Sequence, residues 1–203
     1  MMKRIGKYII LFLSSTTLFT LSCSGQKYVP LNNDRFATKV LNKSSMYKNI
    51  EKFDTKLLTI IETEVIYEEF DVYKNILERL DYEDERNSYD VIRFFPNGYF
   101  NSFSFRREDS FNVNSFDPLL EGNRGVYYLV GNNEIKYDIF VPTTGTGHYM
   151  GKLSGDYIIN GDTLINYRDK NDKYPKIYIK REVPKEYLDY QVDWKNDLEK
   201  QGK

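Results

Sequence analysis

"DVIRFFPNGYFNSFSFR", Asp90–Arg106, sets two apolar runs on either side of Pro96-Asn97-Gly98. Phenylalanine and tyrosine favour pleated, half-buried surfaces, and Asn-Gly supplies the positive φ angles that a tight hairpin requires. The stretch therefore reads as strand, turn, strand. "GVYYLVGNNEIKYDIFV", Gly125–Val141, repeats the design with a turn at Gly131-Asn132-Asn133, and Ile135, Tyr137, Ile139 and Val141 alternate with Lys136 and Asp138. "GHYMGKLSGDYIINGDTLINYRD", Gly147–Asp169, is a third hairpin turning at Asn160-Gly161-Asp162.

Single strands flank the hairpins. In "TIIETEVIYEE", Ile61, Thr63, Val65 and Tyr67 alternate with Glu62, Glu64, Ile66 and Glu68, the period of two of a strand with one wet face. In "YPKIYIKREV", Ile177 and Ile179 lie on one side and Lys176, Tyr178 and Lys180 on the other. Eight strands result, mostly joined by tight turns. "DVYKNILERLDYEDERNSYD" interrupts them: Val72, Tyr73, Ile76, Leu77 and Leu80 fall on one helical face, followed by a solvated acidic loop. A second insertion, "REDSFNVNSFDPLLEGNRG", separates the first two hairpins. Before the first strand, Met46, Tyr47, Ile50 and Phe53 predict one or two helical turns, capped by Ser44 or Ser45. Pro184 opens a C-terminal stripe of Tyr187, Gln191, Trp194 and Leu198, read as a helix packed on the sheet.

Sequential antiparallel strands leave two exposed edges unless the sheet closes on itself. The expected fold is mainly β, an antiparallel up-and-down eight-stranded barrel with a short C-terminal helix, and a β-sandwich is the alternative. The strand order, the long connection after the first strand and the helix after the last resemble lipocalin-like, or calycin, barrels over roughly Thr59 to Trp194. "GDYIINGDTLI" and "IRFFPNGYF" look like hairpins of small lipocalin-like bacterial lipoproteins. The Gly-x-Trp signature of true lipocalins is absent, the sole tryptophan being Trp194, so the resemblance implies an architecture rather than a site.

The N-terminus carries a second message. "MMKRIGKYIILFLSSTTLFTLSC" has a basic start at Lys3, Arg4 and Lys7, then apolar residues broken by Ser14, Ser15, Thr16 and Thr17. Spanning a bilayer takes roughly 20 mainly apolar residues, so a signal peptide is the better reading. "TLSC" resembles a bacterial lipobox, with Thr20 where leucine is usual and small Ser22 before Cys23. That resemblance implies cleavage before Cys23 and acylation of its sulfur. Cys23 is the only cysteine, so the chain forms no internal disulfide. The expected organisation is a signal peptide over 1–22, a lipidated cysteine and tether over 23–43, and one barrel domain over 44–203. The expected location is the cell envelope, anchored to a membrane through acyl chains on Cys23, on the outer membrane facing the periplasm.

Function is less legible. With 29 Lys and Arg against 30 Asp and Glu, no global attraction to nucleic acid is expected. His148 is the only histidine, which rules out a two-histidine metal site, and no Gly-x-Ser-x-Gly nucleophile elbow occurs. "TTGTGHYMGK" lacks the ending of a phosphate loop, and "DYEDE", 81–85, lacks the spacing of a calcium loop. The acidic residues of the first strand read as its solvent face. No cofactor, metal or catalysis is expected. Aromatic residues make up 16% of the chain. Tyr67, Arg93, Tyr128, Tyr137 and Tyr167 are candidates to line a pocket for a small apolar or glycan-like ligand, the bland reading being that they fill the core. The leading expectation is a lipid-anchored binding or accessory module, ahead of a structural or protein-interaction lipoprotein and of a glycan hydrolase.

Overall fold

A computed structural model describes residues 29–30, 39–40, 47–75, 78–79, 88–106, 108–118, 122–131, 134–142, 149–167 and 175–196. Eight strands form the body: β1 Ile66–Asn75, β2 Ser88–Phe94, β3 Tyr99–Arg106, β4 Asn123–Leu129, β5 Glu134–Pro142, β6 Tyr149–Asn160, β7 Thr163–Tyr167 and β8 Lys176–Arg181. Each pairs antiparallel with the next, and β8 pairs antiparallel with β1. The sheet is thus a closed up-and-down barrel, and the sandwich alternative is excluded.

Turn chemistry accounts for the hairpins. Between β2 and β3, Gly98 N–H donates to Phe95 O and Phe95 N–H to Tyr99 O, with Gly98 at φ 86°. Asn97 does not take a positive φ. Pro96 sets the first turn residue and glycine alone takes the left-handed position, the three-residue loop rather than the two-residue Asn-Gly form. A Cβ on Gly98 would lie 2.6 Å from Cγ of Phe53, so close packing also demands glycine here.

Two expectations are corrected. The first strand begins at Ile66, and Thr55–Thr59 form a 3₁₀ turn capped by Asp54, whose carboxylate accepts from Lys56 N–H at 2.9 Å. The alternating Ile61 and Val65 instead follow this turn and plug the barrel. The predicted helix after the first strand is also absent among the described residues: Ile66–Asn75 is continuous strand, with Glu78–Arg79 paired back onto it. Val72 and Tyr73 satisfy helical spacing, but Val72 is held in the ladder to β8, distant in sequence, and Tyr73 in the pairing to Arg79. Ile76, Leu77, Leu80 and the 81–85 acidic run lie outside the described residues.

The terminal segments wrap the wall. Lys48–Lys52 is one 3₁₀ turn, and its Asn49 donates to Asp138 of β5 at 2.5 Å. The C-terminal stripe is not one helix: Lys185–Tyr187 is a 3₁₀ turn, and a short helix starts only at Trp194. Trp194 packs with Tyr47, Phe95, Tyr99, Val126 and Phe140 on the outer wall. A second outer cluster joins Val91, Phe103 and Phe105 to Phe111 and Phe116 of the 108–118 loop and to Val183, Tyr187 and Leu188. This cover buries β2 on both faces and accounts for the consecutive buried residues Val91, Ile92, Arg93 and Phe94.

Two short segments of the expected tether also join the sheet. Val29–Pro30 pairs with Lys39–Val40, which pairs in parallel with Tyr149–Met150 of β6. Signal peptide, Cys23 and Ser44–Ser45 lie outside the described residues.

Candidate functional site

The barrel has two unlike ends. At the lower end the β2–β3, β4–β5 and β6–β7 connections are tight, and Leu57, Ile61 and Val65 plug the interior beneath Tyr67, Ile92 and Phe94. At the upper end the connections run over 76–87, 107–122, 143–148 and 168–175.

Rings fill the interior above the plug. Phe94 meets Tyr127 edge-on at 4.9 Å and Phe100 at 5.8 Å, and Phe100 meets Tyr137 at 5.7 Å. Tyr137 stacks on Tyr157 at 4.5 Å, and Tyr157 approaches Tyr178 at 6.3 Å. Burial pushes the hydroxyls of Tyr157 and Tyr178 well above their ordinary range, reinforced by neighbouring tyrosines and by Asp90. The hydroxyls of Tyr157 and Tyr178 stay neutral at physiological pH.

Polar groups begin where the rings end. Asn166 of β7 lies within 3.1 Å (Nδ2) and 3.2 Å (Oδ1) of the Tyr137 hydroxyl, inside the wall. Gly155, directly across the ladder from Tyr137, makes room for it, since a Cβ there would lie 2.5 Å from the hydroxyl. Beside them Lys176 of β8 bridges two carboxylates, Asp90 at 2.6 Å and Glu69 at 3.1 Å. Burial works to lower the ammonium's pKa, but the pull of Asp90 and Glu69 outweighs it and leaves the value raised. Two ammonium protons are used in these contacts, and lysine carries three donors.

The trio sits at a break in the wall. β1 and β2 share only the Tyr67↔Ile92 and Glu68↔Val91 pairs. Above them the Glu69 carboxylate accepts the Asp90 N–H at 2.9 Å, taking the place of a ladder carbonyl. On the other edge, β8 pairs Tyr178 with Glu69 and Ile177 with Asp71, so Phe70 is an extra residue in β1, a bulge. Glu69, two residues beyond interior Tyr67 and before the bulge, keeps the phase of Tyr67 and turns inward with the lysine.

The opposite rim is apolar. The β5–β6 hairpin rises past the end of β7, which pairs with β6 no higher than Asp156. Its inward face continues from Tyr137 and Gly155 to Ile139 and Leu153, a directly paired couple, and Leu153 is 57% exposed. A mouth with a charged side and an apolar side suits a ligand that is itself part polar and part apolar.

Of the predicted pocket residues, Tyr67 and Tyr137 face the interior. Tyr67 lies at the closed end, its hydroxyl accepting from Glu62 N–H at 3.2 Å, and only Tyr137 reaches the mouth. Arg93, Tyr128 and Tyr167 are on the outer wall. Arg93 is buried under the C-terminal tail, donating to the carbonyls of Leu188, of Tyr190 at 3.2 Å and of Phe116 at 3.4 Å. Burial lowers its pKa to about 10, so it remains cationic at neutral pH and clamps the tail. Tyr128 lies under the Lys52 ammonium, 5.2 Å from the ring centroid, and Tyr167 alternates with interior Asn166 and so faces outward. His148 lies outside the described residues.

Asn166, Lys176, Glu69 and Asp90 are the mouth residues missing from the sequence-based set. The available signal was phase: Lys176 shares a side with Tyr178, and once the tyrosine is assigned to the core the lysine must enter with it. Among the described residues no group of three or more His, Cys, Asp or Glu is placed to hold a metal ion. No protein-family model matches the chain, and neither a curated protein nor a solved structure matches it.

Proposed function

We propose that this chain is a non-catalytic, lipid-anchored binding module of the bacterial cell envelope, held to a membrane by acyl chains on Cys23 and taking a small amphiphile, part apolar and part polar, at the upper mouth of its barrel. The observation that carries the reading is the asymmetry of the interior: plugged by Leu57, Ile61 and Val65 below, and finished above by Tyr137, Asn166 and the Lys176 trio facing exposed Leu153. The lipobox-like "TLSC" supports the anchor. The fully buried ring layer below the mouth limits the ligand to a shallow seat, and the same filled interior supports a second reading, a structural or protein-interaction lipoprotein.

Thermal melting of the soluble domain with single-chain lysophospholipids, monoacylglycerols and short glycans separates the two readings. One probe class is expected to raise the melting temperature of the wild type and to lose that effect in Asn166→Leu. If no probe shifts the wild type, and lipid extracts of the natively purified protein hold no stoichiometric ligand, the binding reading gives way to the scaffold. Cys23→Ser tests the anchor: the protein is expected to leave the membrane fraction with its fold unchanged.

A further inference from the structure

Resting on the binding reading above, we infer that the polar end of the ligand is a cation: the mouth takes a single-chain amphiphile whose head is a protonated amine, seated against Glu69 and Asp90. The argument is a charge count in a half-enclosed place. Two carboxylates share one ammonium, so the trio keeps one surplus negative charge. Glu69 is the most enclosed of the three, 12% exposed against 21% for Lys176 and 34% for Asp90. On the β3 side, Asp90 pairs with Ser104, and the next residue in that phase, Arg106, is 70% exposed and bridges Glu108 at 3.7 Å. It does not offset the surplus.

Acceptors are left over as well. Lys176 and the Asp90 N–H both donate to Oε2 of Glu69, and Lys176 donates to Oδ2 of Asp90, so Oε1 of Glu69 and Oδ1 of Asp90 accept no hydrogen bond among the described residues. The site lacks donors and positive charge together. A ligand that covers the mouth takes water from these oxygens, and what its head supplies then decides the outcome. A hydroxyl donates a hydrogen bond but leaves the surplus charge desolvated. An anion adds a like charge and meets a lysine already committed twice. An ammonium brings three donors and the missing charge, while its tail lies on Ile139 and exposed Leu153.

Decylamine, decanol and decanoate share one tail and differ in head charge. Each is titrated at pH 7 into the full chain carrying Cys23→Ser, purified without detergent, and read by calorimetry and thermal melting. Decylamine is expected to bind about tenfold more tightly than decanol, roughly what a unit charge in contact with another is worth near the hydrated limit, and decanoate most weakly. Glu69→Gln cancels the surplus and should erase the preference for the amine. Glu62→Gln makes the same change in the exposed trio around Lys180 and should leave the preference intact. Lys176→Met vacates the place between the two carboxylates, so decylamine should raise the melting temperature of this variant by more than that of the wild type. That reading holds even if Glu69→Gln fails to fold. Equal affinity for the three heads, or tightest binding of decanoate with its loss in Lys176→Met, overturns the cation and leaves the mouth as a binding site, as long as Asn166→Leu abolishes the binding. Equal loss in Glu62→Gln and Glu69→Gln overturns it too, because the amine then senses the charge of the whole surface. No response to decylamine also overturns the inference, and the binding reading then stands or falls on the lysophospholipid, monoacylglycerol and glycan probes.

Discussion

The lower end of the barrel is closed by apolar side chains from one local turn, whereas the upper end is held by charges drawn from three strands far apart in sequence. Leu57, Ile61 and Val65 reach the interior from a single stretch whose turn is capped by its own Asp54. Glu69, Asp90 and Lys176 meet only because β8 closes on β1. The lower end also has a lysine, Lys180, bridging Glu62 at 2.7 Å and Asp162 at 2.5 Å. The two lysines flank Tyr178 on the same side of β8, yet Glu69 is 12% exposed where Glu62 is 60% exposed. The chemistry is the same at both ends, and water decides what it is worth: exposed pairs contribute little, and enclosed ones are costly to break.

The largest effect is expected at the plug. Leu57→Ala removes a fully buried side chain and is expected to destabilise the fold by about 2–4 kcal/mol, read as a lower denaturant midpoint at unchanged slope. A loss under about 1 kcal/mol would mean that the turn sits on the barrel without closing it. Lys176→Met comes next. It leaves Glu69 and Asp90 facing one another partly shielded from water, and a cost of about 1–3 kcal/mol follows from an unpaired, half-buried charge. In a double-mutant cycle Glu69→Gln should recover part of that loss, and strict additivity would show that the trio does not act as a unit.

How far these ends were legible in the sequence follows from the range of the signals. Pro96-Asn97-Gly98 and Asn160-Gly161-Asp162 carry their turns in adjacent residues, and the hairpins, the strand count and so the closed barrel were readable from them. The start of β1 was not. Alternation through Ile61 and Val65 looks the same whether the apolar residues face a sheet neighbour or plug its end. Val72 fits a helical stripe because nothing local announces the β8 ladder that holds it. Arg93 was chosen for a pocket, but it lies between interior Ile92 and Phe94, and its burial comes from the C-terminal tail, whose carbonyls are distant in sequence. The mouth was missed for a related reason. Glu69 reads with the wet face of the first strand although it shares the phase of Tyr67, and nothing local announces that β8 closes on β1 to bring Lys176 against it.

Raising the pH tests the interior as a whole. Burial holds the hydroxyls of Tyr127, Tyr157 and Tyr178 above their ordinary 10.0, and Lys176 is held above 10.5. The unfolded chain therefore releases these protons first. The stabilisation is whole below about pH 10 and is lost as pH rises through the folded values. Arg93, lowered by burial to about 10 from 12.5, acts in the opposite sense, because its cost eases over that range. Four groups against one leave a net loss, so alkaline unfolding should coincide with tyrosinate absorbance. Absorbance rising fully while the fold persists would mean that these hydroxyls are reached by solvent.

The smallest effect sharpens the comparison most. Lys180→Met deletes a lysine with the same partner types and contact lengths as short as those of Lys176, but its carboxylates are largely in water. Hydrogen bonds that Lys180 donates to Asp162 and Glu62 raise its pKa, but freed carboxylates at this end are rehydrated at once, whereas those at the mouth are not. The loss should be smaller than for Lys176→Met and should shrink as salt is raised, since a Debye length of about 8 Å at physiological ionic strength screens exposed charges far more than enclosed ones. If the two variants lose equal stability, with equal salt dependence, enclosure is not what separates the ends. The upper trio would then be a surface bridge that happens to lie over the barrel, and the mouth would have no charged wall to offer a ligand.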